Sequence, residues 1–269
     1  MNQPTSAIAL LHRFKINGYA TRVIAALLIC GGVGTARATP ADDARIDAIL
    51  TDQEKASAGL KDIRCAVRFV EDDRMNLTRQ IKVGTVTLLI EGRETPQFLV
   101  HFQSSQRDGV AGKQEWYLFD GRWLYQAIER LKQVTKQEFA ADGEGIDLFD
   151  LEKAPFPLPF GQKKDKILNN FNVALIPPAA NDPPNTDHLV CTPKPNSRLS
   201  NKYDRLEFFV RRDLHLPGRV IAIKKGGLEI NTADFPDLST KSFNRGISGR
   251  DLAPPPAWKD YKEVVERLE

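Results

Sequence analysis

Cysteine is scarce in this sequence, with three residues in 269, so a disulfide scaffold is excluded. Long apolar runs are scarcer still. The longest, Val23 to Ile29, falls well short of the roughly 20 apolar residues a membrane-spanning helix needs. No Gly-x-Ser-x-Gly elbow and no phosphate-cradling loop appears, and the sequence shows no catalytic machinery. His101, His188 and His215 are scattered, without a second ligand at metal spacing, so neither a metal nor a cofactor is expected. The acidic run Asp142, Glu144, Asp147, Asp150 and Glu152 lacks the residue order of a calcium loop.

The start of the chain accounts for its basic balance. Arg13, Lys15 and Arg22 precede the apolar run, and Ala36-Arg37-Ala38 follows it with the small-x-small pattern of a cleavage site at Ala36 and Ala38. This order reads as a secretory signal over residues 1–38, so the mature protein is expected in the periplasm. Lipidation at Cys30 with membrane anchoring is the alternative, although Leu28 and Ile29 before it are poor for that modification. The first 38 residues hold four of the 38 Lys and Arg and none of the 35 Asp and Glu. The remaining 34 basic and 35 acidic residues give a formal charge of −1, which removes the basic excess of a nucleic-acid binder.

After residue 38 the pattern is mainly β, of α+β class. Ile46, Ile49, Leu50 and Leu60 recur at helical spacing over 41–61. Ile63, Cys65, Val67 and Phe69 then alternate with Arg64, Ala66 and Arg68, the period-two signature of a half-buried strand. Strands are expected over 81–90, with Gly84 marking a bulge, then over 98–102, 114–119, 122–126 and 131–139. Asp120-Gly121 is a hairpin turn signal. Acidic and proline-rich residues over 142–161 break the sheet, and 163–171 reads as a short helix. Five more strands follow, over 172–176, 188–192, 205–211, 219–224 and 228–235. About eleven antiparallel strands in one meander predict a strongly curved sheet wrapping toward a barrel, with helices as lid or plug. Residues 246–269 read as a proline-rich linker and a C-terminal helix with Trp258, Tyr261, Val264, Val265 and Leu268 on one face. Cys65 and Cys191 either pair as a disulfide or stay as buried thiols.

The hairpin Trp116-Tyr117-Leu118-Phe119-Asp120-Gly121-Arg122-Trp123-Leu124-Tyr125 resembles the central hairpin of the periplasmic lipoprotein carrier superfamily, the LolA/LolB type. Leu206 to Asp213, followed by Leu216-Pro217, resembles a later strand and turn of the same superfamily. The resemblance covers most of 41–245, and in texture it is similar to planctomycete members. It implies an unclosed β-barrel over 39–245, with a lid at about 142–171 closing an apolar cavity. The ligand implied is a lipid or a lipoprotein acyl chain, passed by a monomer between membrane-bound donor and acceptor proteins. Cavity candidates are Ile63, Val67, Phe69, Phe98, Val100, Phe102, Trp116, Leu118, Trp123, Phe208 and Val210. Carriers of this type hold the lid through an arginine followed directly by proline. Arg93 is the nearest candidate, but its proline, Pro96, stands three residues on. The rival reading is an envelope sensor or scaffold that binds a protein partner through the same sheet, with an apolar patch at 155–160.

Overall fold

The computed structural model describes residues 40–92, 95–140, 147–149, 151 and 159–267. Helix α1 (Pro40–Ala58) opens the described chain, with Asp42 and Asp43 in its first turn, where carboxylates complement the helix dipole. The first run of strands is β1 (Asp62–Asp73), β2 (Thr78–Leu89), β3 (Gln97–Arg107), β4 (Val110–Ala111), β5 (Glu115–Phe119), β6 (Trp123–Ile128) and β7 (Gln133–Glu138). Helix α2 (Lys164–Asn170) follows. The second run is β8 (Phe171–Ile176), β9 (Thr186–Pro193), β10 (Tyr203–Arg211), β11 (Leu216–Lys224), β12 (Glu229–Asp234) and β13 (Lys262–Glu266).

These strands form one sheet in the order β13-β7-β6-β5-β3-β2-β1-β12-β11-β10-β9-β8, with β4 paired to β3. The pairings are antiparallel except β13 on β7, which is parallel. The long-range β1–β12 pairing joins the two runs, from Arg68↔Asp234 to Asp73↔Glu229. Strands β13 and β8 form the two ends of the order, so the barrel is not closed by hydrogen bonds. The eleven expected strands are all present; β4 and β13 are additional. No helix of the described residues is long and apolar enough to cross a membrane.

Gly84 marks the expected bulge. The β2–β3 register slips between Val83 and Gly84, and a Cβ on Gly84 would lie 2.0 Å from the His101 carbonyl oxygen. Only glycine allows the two strands to approach so closely there.

Three apolar clusters hold the sheet. The first gathers Ile63, Cys65, Val67, Val86, Phe98, Val100, Phe102 and Phe119 on the inner face of β1, β2, β3 and β5. Leu148, Phe160, Leu216 and Phe235 also belong to it. The second lies under α1, where Ile46 and Leu50 meet Cys191, Leu206, Phe208 and Val210. The third covers the outer face, where Trp258 packs on Trp116 with ring centroids 6.2 Å apart. The expected C-terminal helix is not formed. Residues Pro256–Asp260 make a 3-10 turn that seats Trp258, and the chain then extends into β13. Val264 and Val265 are β-branched and favour that extended state, and β7 offers them an edge to pair with.

Cys65 and Cys191 are both buried free thiols. Their strands, β1 and β9, stand four places apart in the sheet at about 4.8 Å per place, whereas a disulfide needs Cα atoms within about 7 Å. Burial pushes each thiol up to about 12.

Candidate functional site

Between the first and second clusters the packing leaves a cavity of about 540 Å³. That volume lies in the range of small-molecule sites, about 300–1,000 Å³. The cavity forms where the curved sheet faces itself. Val67, Val86, Val100 and Phe102 approach from one side, and Tyr203, Leu206, Phe208 and Val220 from the other. An extra residue in β10 slips the register between Tyr203↔Lys224 and Arg205↔Ile223. The slip turns Tyr203 onto the same face as Leu206 and Phe208. Of the segment at 142–171, Leu151 and Pro159 line the cavity, and Phe160 packs on Phe235 with centroids 5.0 Å apart.

The cavity also has polar walls. Lys82 is almost fully buried, its side chain 8% exposed, and its Nζ meets Glu71 at 3.2 Å and Glu115 at 3.0 Å. The Tyr117 hydroxyl donates to Glu115 Oε2 at 3.4 Å and accepts from Gln126 Nε2 at 3.1 Å. Burial opposes the Lys82 charge most strongly. Tyr117, Glu71 and Glu115 together outweigh it and hold the lysine above its ordinary pKa. Burial also raises Tyr117, with Lys82 opposing. Among the described residues no three His, Cys, Asp or Glu side chains gather into a metal-binding group.

The cavity candidates fall into three groups. Val67, Phe69, Val100, Phe102 and Phe208 line the cavity. Ile63 and Phe98 point to the same face but are wholly enclosed in the first cluster, while Val210 is packed in the second. Trp116, Leu118 and Trp123 do not face the cavity. Trp116 and Leu118 belong to the outer cluster, and Trp123 sits on the outer face with Lys136 Nζ 4.4 Å from its ring centroid. On β5 the inward residues are Tyr117 and Phe119, so an apolar series chosen on the other parity points outward. Replacing Trp123 by a charged residue would therefore probe the outer surface, not the cavity. Arg93, Ala36, Ala38, Cys30 and residues 155–158 of the 155–160 run lie outside the described residues.

Several lining residues escaped the sequence reading: Tyr203, Leu206, Val220, Ala222, Ala233 and Phe235. Their signal is the period-two series Val220-Ala222-Lys224 and Asn231-Ala233-Phe235, in which small and polar residues hide an inward face.

No protein-family profile and no curated protein matches the sequence. Solved structures similar to the chain include a conserved protein from Thermus thermophilus, at 12% identity and TM-score 0.48, covering 82% of this chain and 99% of that one. LprF from Mycobacterium bovis is similar at 12% identity and TM-score 0.42, covering 79% and 97%. The LolA superfamily protein NE2245 from Nitrosomonas europaea is similar at 13% identity and TM-score 0.34, covering 78% and 97%.

Proposed function

We propose that this protein is a periplasmic binding or carrier protein that holds an acyl chain of a lipid or lipoprotein in the cavity between β1, β3, β10 and β12. The observation that carries the reading is the cavity itself: about 540 Å³, walled mainly by Val, Leu, Ala and Phe side chains. Ten methylenes leaving water for such a space gain about 8 kcal/mol before association costs, at about 0.8 kcal/mol each. The segment at 142–171 would act as the lid, because its described residues Leu151 and Pro159 already touch the space. A carrier must load and release, so the lid should open at a small free-energy cost.

The polar cluster in the cavity supports binding better than chemistry. A general acid or base works best with a pKa near the operating pH. Lys82 and Tyr117 are both shifted away from neutrality.

Native mass spectrometry of the protein purified from a periplasm, followed by solvent extraction, tests the reading. A bound lipid or acylated peptide is expected. A protein that stays bare after incubation with fatty acid, phospholipid and acylated peptide would overturn the cavity reading and favour a scaffold that binds a protein partner.

A further inference from the structure

The cavity is graded along its strands. On β1 the inward residues run Val67, Phe69, Glu71, and on β11 they run Val220, Ala222, Lys224. On β12, which runs the other way, the order is Phe235, Ala233, Asn231. Glu71 pairs with Asn231, and Asn231 pairs with Ala222. Alternate residues share a face, so Lys224, two residues beyond Ala222, is the diagonal neighbour of Asn231, one step further toward the same end. Lys82 reaches that row by its ion pair with Glu71. Glu71, Asn231, Lys224 and the head of Lys82 therefore fall at one end, where Lys202 also lines the cavity beside Tyr203, the register partner of Lys224, and Phe160 closes on Phe235 at the other.

Two groups in this row have unused capacity. Asn231 Nδ2 donates to Glu229 Oε1 at 2.9 Å, which fixes the amide's orientation. Its Oδ1 is buried and receives no hydrogen bond among the described residues. A buried acceptor of that kind calls for a donor. The Lys224 ammonium lies 5.3 Å from the Tyr203 ring centroid and makes no ion pair among the described residues. Lys82, by contrast, is neutralised by Glu71 and Glu115. Glu229 stands outside the lining, its carboxylate already engaged by Asn231.

We infer that this row reads the head group of the amphiphile whose chain fills the apolar end. The head group is an anion that also carries a hydroxyl, of the phosphoglycerol kind: anionic oxygens on Lys224, and a hydroxyl donating to Asn231 Oδ1. This rests on the proposal that the cavity holds an acyl chain. A choline head group would set a cation against Lys224 and offer Asn231 no donor.

Calorimetric titration below the micelle concentration tests the inference with dodecylphosphoglycerol, dodecylphosphocholine and free glycerol phosphate. The phosphoglycerol amphiphile should bind about tenfold tighter than the phosphocholine one, since both carry the phosphate but only the first supplies a hydroxyl to Asn231 and spares Lys224 a neighbouring cation. Lys224→Gln and Asn231→Leu should each reduce that preference, whereas Lys224→Arg should keep it; melting curves establish that each variant is folded. Equal affinity for the two amphiphiles, or a preference that survives both variants, overturns the head-group inference and leaves the cavity reading standing. Glycerol phosphate binding as tightly as its acylated form overturns it in favour of a soluble-anion site. Failure of both amphiphiles to bind removes the cavity reading and this inference with it.

Discussion

Ala233→Phe is the substitution that separates a ligand cavity from a merely loose core. Ala233 lies on β12 between Phe69 of β1 and Val220 of β11, its register partners on either side, and all three line the cavity. Ala233 faces the cavity of about 540 Å³, so a phenyl ring there would be directed into that space. Filling the space buries new apolar surface, worth up to about 1.5–3 kcal/mol if the ring is well accommodated. The melting temperature should therefore hold or rise by a few degrees, since 1 kcal/mol corresponds to about 2–4 °C at this size. The same ring takes the room of about four methylenes. At about 0.8 kcal/mol each, the loss is about 3 kcal/mol, or roughly a hundredfold in affinity. Displacement of an environment-sensitive fluorescent fatty acid measures it. Unchanged affinity in a folded Ala233→Phe protein would refute the placement of the chain in this cavity. A drop in melting temperature of about 10 °C or more would refute the claim that the space is open.

Four further outcomes follow from the packing. Trp258→Ala should destabilise by about 3–5 kcal/mol, because Trp258 is buried against Trp116 and Tyr125, whereas Trp123→Ala on the outer face should cost about 1 kcal/mol or less; urea melts followed by circular dichroism compare them. Lys82→Met should cost about 3 kcal/mol or more by leaving Glu71 and Glu115 without their shared cation, and adding Glu71→Gln and Glu115→Gln should recover most of it. Stability should also fall on the alkaline side. Cys65 and Cys191 keep their protons in the fold until about pH 12 but lose them near the ordinary thiol value of 9.0 when unfolded, so stability is complete below that value and declines between the two. The alkaline loss should be shallower in the Cys65→Ala/Cys191→Ala protein, which lacks both buried thiols. The native thiols should also resist an aqueous disulfide reagent until the protein unfolds, and rapid labelling of the folded protein would contradict their burial.

The sequence made the first half of the sheet easier to read than the cavity. On β1 the inward Ile63, Cys65 and Val67 alternate with Arg64 and Arg68, so one face is plainly buried and the other wet. On β5 both faces are apolar, because Tyr117 and Phe119 face inward while Trp116 and Leu118 lie under the Trp258 segment. Alternation loses its meaning when both sides are covered, and parity alone does not say which side faces the hollow. The C-terminal residues misled in another way. Trp258, Tyr261, Val264 and Val265 have helical spacing, yet the edge of β7 supplies a parallel partner that local pattern does not contain. The polar row was hidden for a similar reason. Lys224 and Asn231 face each other across the β11–β12 hairpin, but Glu71 is distant in sequence and joins them only because β12 returns to pair with β1.

An acyl chain held inside the sheet would lie with its tail at the Phe235 end. Photo-crosslinking with a palmitic acid that carries a diazirine on its terminal carbon, followed by peptide mapping, tests it most directly. Labelling is expected at Val67, Phe208, Val220 or Phe235, abolished by Ala233→Phe. Labelling confined to the outer face around Trp123 and Tyr125, or none in a folded protein at saturating probe, would contradict it.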